Sequence, residues 1–309
     1  MKKYLPLSLF ALLLIGARPL AAQTPADEIL MKKQEVCFAL SYDRGEWDEY
    51  WEGADLRVNG NIGTLTRNTT APMVAYGITD KLNFLMATPY VKTKSNGGQL
   101  AGAQGFQDVS VALKYEIIKK KLGKGNLAAL ATAAFATPMS NYLSDYMPYS
   151  LGLGTNEGTL RGIVHYQLDK GMYARVAGAH LWRGQTETER DYYYNNGSYY
   201  TPFMDVPNAW NYNATIGTWL FDYALRLEAN YTALKSTSGD DIRKYNSPQP
   251  TNKVEVAQVG GFAQYYFKKN LKGLGVLAYY SEMIEGRNMG KFTNIGAGAT
   301  YQFNIKKSQ

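Results

Sequence analysis

Apolar and polar residues alternate through long stretches of this chain. Over 105–118, Val109, Val111, Leu113, Tyr115 and Ile117 fall on one face, and Asp108, Ser110, Lys114 and Glu116 on the other. Over 224–235, Leu225, Leu227, Ala229, Tyr231 and Ala233 oppose Arg226, Glu228, Asn230 and Thr232. Segments 156–168, 210–220 and 292–305 repeat the pattern. Successive side chains of a strand point to opposite faces, so a period of two marks strands with one apolar and one polar side. Weaker segments at 34–42, 61–76, 82–94, 127–138, 172–183, 254–267 and 271–283 bring the expected number to twelve. The phase is least decisive in 61–76 and 127–138.

The connections alternate in length. Gly77–Lys81, Lys119–Asn126, Asp169–Gly171, Phe221–Asp222 and Lys268–Asn270 are short, whereas 43–60, 95–104, 139–155, 184–209, 236–253 and 284–291 are longer. Short periplasmic turns and longer external loops characterise an outer-membrane barrel, which hides its hydrophobicity in alternation. The expected fold class is therefore all-β, a transmembrane antiparallel β-barrel of about 12 strands occupying residues 34–305. With Asp169–Gly171 as a turn, His165 faces Arg175 and Arg161 faces Ala179 on the inside, while Val164 and Val176 meet outside. A two-residue turn at Phe221–Asp222 pairs Leu220 with Tyr223. Trp182, Trp210 and Phe292 near external ends, and Tyr115, Tyr166, Tyr223, Tyr265, Tyr301 and Phe303 near periplasmic ends, suggest two interfacial girdles.

Composition narrows the class. Hydrophobic residues make up 45% of the 309 and charged residues 19%, too polar for a helical membrane bundle. Residues 1–22 combine Lys2 and Lys3, an apolar run from Leu5 to Gly16, and Ala21–Ala22, the pattern of a secretory signal peptide cleaved after Ala22. Residues 23–33 then form a periplasmic N-terminal segment, either a tail or a small plug, and 306–309 a C-terminal tail. Removing Lys2, Lys3 and Arg18 lowers the formal charge from +7 to +4. The remaining basic clusters, Lys119–Lys124, Lys268–Lys272 and Lys306–Lys307, belong to separate turns and the end of the chain, where anionic headgroups attract them. Scattered in this way, they form no nucleic-acid surface. The lone Cys37 excludes an intramolecular disulfide and reads as a small lumen-side filler. Neither a cofactor nor a metal is expected.

Candidate chemistry lies in the lumen and one loop. Lys114, Glu116, Arg161, His165, Arg175, Arg226, Glu228, Gln258 and Gln264 are the lumen-lining candidates. They serve either a polar constriction that selects solutes or a salt-bridged packed interior. His165 has a cationic neighbour and His180 points the other way, so no Ser-His-Asp arrangement forms and no enzyme is expected. Tyr192, Tyr193, Tyr194, Tyr199, Tyr200 and Phe203 are external-loop aromatics, able to bind ring compounds or to rest on the lipid interface. Loop 43–60, with Asp43, Glu46, Asp48, Glu49, Glu52 and Asp55 around Trp47 and Trp51, reads as a solvated acidic loop.

Two stretches carry a family likeness: Tyr76-Gly77-Ile78-Thr79-Asp80-Lys81-Leu82 running to Thr88-Pro89-Tyr90-Val91, and Gly105-Phe106-Gln107-Asp108-Val109-Ser110 running to Lys114-Tyr115. They resemble the outer-membrane proteins of the MetA-pathway of phenol degradation family, allied to fatty-acid and toluene-type hydrophobic channels. The family pattern has glycine where this chain has Gln107. The resemblance implies a barrel that passes small solutes, aromatic or apolar among them, and transfers no catalytic residue.

The expected function is passive outer-membrane transport of small, hydrophobic or aromatic solutes, with outer-membrane lipid and the solute as partners. The rival is a non-transporting structural or adhesive barrel that uses its aromatic loops; a barrel hydrolase is a third reading. The oligomeric state stays open.

Overall fold

The computed structural model describes residues 23–61, 63–98, 101–144, 149–189, 191–194, 198–242 and 251–305. The expected signal peptide and C-terminal tail, with Lys306 and Lys307, lie outside the described residues. Twelve antiparallel strands form the wall. They are β1 (Glu35–Trp47), β2 (Leu65–Gly77), β3 (Leu82–Ala87, resuming at Tyr90–Ser95), β4 (Gln104–Phe106, resuming at Asp108–Leu122), β5 (Gly125–Pro138) and β6 (Glu157–Leu168). They continue as β7 (Met172–Arg183), β8 (Ala209–Leu220), β9 (Leu225–Ser236), β10 (Glu255–Tyr266), β11 (Leu274–Arg287) and β12 (Thr293–Asn304). Each pairs with its chain neighbours, and β1 pairs with both β12 and β2, which closes the barrel. Closure satisfies every strand edge internally, the condition for crossing hydrocarbon.

Two strands are interrupted for a visible reason. Pro72 in β2 and Pro89 between the halves of β3 have no N–H to give the ladder. The backbone compensates locally: Thr88 N–H donates to the Pro72 carbonyl at 3.3 Å and Gln107 N–H to the Pro89 carbonyl at 2.9 Å.

The expected inside–outside assignment holds where it was sharpest. His165 pairs with Arg175, Arg161 with Ala179 and Val164 with Val176. Phe38, Leu40, Leu160, Val164, Ile216 and Ile295 are exposed on the outer surface, where lipid covers them. The two uncertain strands have mixed faces. The inner face of β5 carries Ala128 and Leu130 beside Thr132, and the outer face of β2 carries Thr66, Asn68 and Thr70.

Four expectations need correction. Leu220 pairs with Leu225, not Tyr223, because the turn has four residues, Phe221–Ala224. Phe221, Asp222 and Tyr223 take φ values of 52°, 53° and 64°, and Lys268 Nζ donates to the carbonyls of Phe221 and Asp222 at 3.0 Å each. A shift of two residues preserves every facing. Lys119, Lys120 and Lys121 stay in β4, leaving Gly123–Lys124 as the turn, and a bulge between Glu116 and Ile118 exposes both Ile117 and Ile118. Phe292 is not a girdle residue: it packs inside with Trp47, Trp51, Leu65 and Met283. Loop 43–60 is not an open acidic loop, since β1 runs to Trp47, the segments Glu49–Glu52 and Asp55–Val58 form a hairpin, and both tryptophans are buried.

The facing assignment makes an asymmetric expectation. Val111 is 37% exposed on the lipid side, whereas Ser110 turns inward. Val111→Arg is expected to weaken folding into lipid vesicles by about 2–4 kcal/mol and Ser110→Arg by much less. Urea titration of the folded and unfolded bands checks this; equal losses contradict the assignment.

Candidate functional site in the lumen

The segment that precedes β1 runs inside the barrel in an extended, turning path without a helix. The turn after β2 receives it. Gly77 has no side chain, and a Cβ there would strike the Lys32 carbonyl. Gln34 N–H donates to the Gly77 carbonyl at 2.8 Å, and Lys33 N–H to Asp80 Oδ1 at 3.0 Å. Asn83 pairs both ways with Met31: it accepts from the backbone N–H and donates to the carbonyl, each at 2.8 Å. The Tyr76–Asp80 stretch therefore reads as a seat for the N-terminal segment as well as a turn.

Two ionic clusters hold the segment deeper in. Lys114 is 0% exposed, and its ammonium donates to Asp27 Oδ1 at 2.6 Å, the Thr24 carbonyl at 2.8 Å and the Ile29 carbonyl at 2.9 Å. All three ammonium hydrogens are thereby used. Asp27 also caps its own segment, accepting from Thr24 N–H at 2.5 Å and Ile29 N–H at 2.9 Å. Alongside, Glu28 meets Arg175 at 2.5 Å, His165 at 3.7 Å and Arg226 at 3.9 Å. Glu228 meets Arg226 at 2.5 Å and Arg175 at 3.1 Å, and accepts from the Tyr173 hydroxyl at 2.7 Å. Burial would raise the pKa of Glu28, but Arg226, His165 and Arg175 outweigh it and hold the carboxyl down at about 2. Removing one member of a buried pair costs about 3–5 kcal/mol.

Apolar contacts complete the seat. Ile29 and Met31 pack with Cys37, Ala75, Leu85 and Ala112, and Leu30 packs on Ala128, Leu130, Ile163 and Ala177.

Of the sequence candidates, Lys114, His165, Arg175, Arg226 and Glu228 meet at this seat. Gln264 lies in register with Arg226, 1% exposed, its side-chain amide without a partner among the described residues. Arg161 stands apart and donates to Asn211 Oδ1 at 2.8 Å. Glu116 and Gln258 are half-buried and join none of the described ion pairs. His180 packs against Trp182 and Trp210 on the outer side, away from His165. Among the loop aromatics, the rings of Tyr192 and Tyr200 lie 5.6 Å apart and exposed. Tyr193–Tyr194 pairs with Ser198–Tyr199, and Phe203 is exposed at the start of a short strand.

The other half of the lumen holds a cavity of about 450 Å³ at the external ends of the strands. Its apolar wall is Leu151, Leu153, Leu234, Val254, Met283, Met289 and Phe292; its charged groups are Asp43, Arg67, Asp108, Glu157 and Arg183. These charges already have partners. Arg67 donates to the carbonyls of Ser150 and Leu151 at 3.2 and 2.7 Å, drawing loop residues 149–155 into the mouth. Arg183 Nε donates to Glu157 at 2.8 Å, and the Tyr142 hydroxyl to Asp108 at 2.7 Å.

Sequence reasoning missed Asp27, Glu28, Asn83 and Arg67. Only the inward parity of Asn83 and Arg67 offered a signal; Asp27 and Glu28 sit in a stretch with no period.

No protein-family model matches the sequence, and no curated protein matches it. Among solved structures, the chain is similar to the COG4313 outer membrane channel from Pseudomonas putida F1, at 14% identity and a TM-score of 0.69 over 91% of this chain and 100% of that one. Weaker likenesses include the TodX monoaromatic hydrocarbon channel, at 11% identity and a TM-score of 0.44 over 90% and 91% of the two chains. Another is the translocator domain of the autotransporter NalP from Neisseria meningitidis, at 13% identity and 0.43 over 89% and 90%. The architecture is that of an outer-membrane β-barrel.

Proposed function

We propose that this protein is a passive outer-membrane channel for small solutes with an apolar or aromatic body, exported by a signal peptide that ends at Ala22. The observation that carries the reading is the division of one lumen into two parts: an external chamber with an apolar wall, and a periplasmic half filled by residues 23–33. A concave chamber with an apolar wall, whose charges are engaged by one another, by loop carbonyls or by tyrosine hydroxyls, suits a neutral ring or short chain. The segment acts as the inner closure. The likeness in fold to an outer-membrane channel supports transport as the class of function. Against a hydrolase, His165 is committed to a cluster with Glu28, Arg175 and Tyr173 in the periplasmic half. The exposed Tyr192 and Tyr200 favour the adhesive rival.

Three measurements test this. In proteoliposomes, the double variant Asp27→Asn, Glu28→Gln is expected to take up a neutral monoaromatic solute several-fold faster than the native chain. A folded double variant that takes up none removes the channel reading. Deleting 190–200 is expected to leave uptake in place; loss of cell-surface attachment on that deletion, with no uptake in any variant, favours adhesion. The closure should also depend on pH. The carboxyl of Glu28 falls from an ordinary 4.5 to about 2, so its contribution is full above about 4.5 and is lost as pH drops through about 2. Protection of the 23–33 amides, taken relative to the intrinsic exchange rate at each pH, is expected to fall over that window in the native chain, and Glu28→Gln is expected to flatten this dependence.

A further inference from the structure

The closed sheet pairs its strands across the membrane, yet one strand outruns its neighbour at the end that carries the short periplasmic turns. On the β3 side, the pairing of β4 stops where Leu82 meets Tyr115, and Glu116 N–H then donates to the Lys81 carbonyl at 2.9 Å. β4 nevertheless continues to Leu122, paired with β5 alone, from Ile118 opposite Ala129 to Leu122 opposite Gly125. Among the described residues, the other edge of Ile117–Lys121 faces no strand. We propose that this edge docks an extended acidic segment of a periplasmic protein, which joins the sheet as a further strand.

Three observations carry this. First, β4 leaves the wall at this point. From Val111 to Tyr115 exposed and buried residues alternate, as a lipid face and a lumen face require, whereas every residue from Ile117 to Leu122 is exposed. An open backbone edge cannot rest in hydrocarbon, so the extension lies beyond it, within reach of a soluble chain. Its unpaired N–H and C=O groups are a template for strand addition.

Second, the edge is cationic. Lys119, Lys120 and Lys121 lie on it, Lys81 stands at its start and Lys124 in the turn at its end, all exposed. Nearby carboxylates leave most of this charge unmatched. Asp169 meets Lys121 at 2.5 Å, and Asp80 accepts from the backbone N–H of Lys33. Lys81, Lys119, Lys120 and Lys124 join none of the described ion pairs.

Third, the charge sorts the occupants. A second copy of this edge would set lysines against lysines, which destabilises a strand pair. The end of the chain carries Lys306 and Lys307, of the same sign. Anionic headgroups match the lysines but bring no row of donors and acceptors in strand register. An extended segment rich in carboxylates satisfies the backbone and the ammonium groups together. Ile117 and Ile118, 59% and 43% exposed, give it apolar contact beside the charges.

The test uses the full chain in phosphatidylcholine nanodiscs, with a short end-capped peptide alternating glutamate and valine as the probe. Anisotropy of the labelled peptide reads binding, and amide exchange at 117–121 reads its place. The native chain is expected to bind the peptide and to slow exchange at 117–121 several-fold, with β9 unchanged. The same peptide N-methylated at every backbone amide keeps its charges but cannot pair, and is expected to bind several-fold more weakly. Lys119→Gln, Lys120→Gln, Lys121→Gln, combined in one chain, is expected to weaken the binding of the unmethylated peptide several-fold. The comparison of the two peptides uses the native chain and does not depend on that variant folding. No binding to the native chain, or equal binding of the two peptides, overturns the proposal. So does slowed exchange at 117–121 without peptide. If it follows the addition of phosphatidylglycerol to the nanodisc, headgroups hold the edge. If it follows a rise in protein concentration in detergent, a second copy does.

Discussion

An ammonium group inside a barrel keeps its charge only if something replaces its water, and the wall does not do this for Lys114. All three acceptors of that group, Asp27 Oδ1 and the carbonyls of Thr24 and Ile29, come from the segment before β1. Arg175 and Arg226 rely on the same segment through Glu28. The wall and the segment are thus mutually dependent. The segment brings carboxylates that would be unpaired without the wall, and without the segment Lys114 would lose its acceptors while Arg175 and Arg226 would be left to share Glu228. This dependence also makes the arrangement reversible. If the segment leaves, the cations face a lumen that water can fill, so they trade one set of acceptors for another and are not stranded in a dry interior.

The external half follows a different rule. There the charges satisfy one another or the loop backbone, as Arg183 does with Glu157 and Arg67 with the carbonyls of Ser150 and Leu151. Those pairs draw loop residues inward over the mouth, and the surface left for a solute is the apolar wall of Leu234, Val254, Met283 and Phe292. Stacking of Trp47 on Tyr149, with ring centroids 5.6 Å apart, fixes the base of the same loop. One end of the lumen is closed by charge and the other is shaped by apolar packing.

The strands were legible because facing is a binary property: a period of two either places Val164 outside and His165 inside or does the reverse. Turn lengths were less legible, yet the error at Phe221–Ala224 left every facing intact because the register moved by two. The cationic half of the lock could be read from Lys114, Arg175 and Arg226. Its acidic half could not. Asp27 lies 87 residues from Lys114 in sequence and Glu28 lies 147 from Arg175, and neither belongs to a periodic segment. Phe292 was misplaced for a related reason. An aromatic residue near a strand end suits an interface and a buried cluster equally well, and only tertiary contact decides between them.

The composition of the seat bears on what an open lumen would offer. The segment covers two different surfaces. Its carboxylates cover cations on β4, β7 and β9, while Ile29, Leu30 and Met31 cover Leu85 on β3, Ala128 and Leu130 on β5 and Ile163 on β6. Withdrawing it would uncover a charged stripe beside an apolar one in the same passage. Water would hydrate the first, and a solute with an apolar body would gain contact only along the second. The residues that hold the closure in place are then the ones that would line the path once it opens, so a substitution at Leu130 or Ile163 should affect closure and passage together, whereas one at Asp27 or Glu28 should affect closure alone.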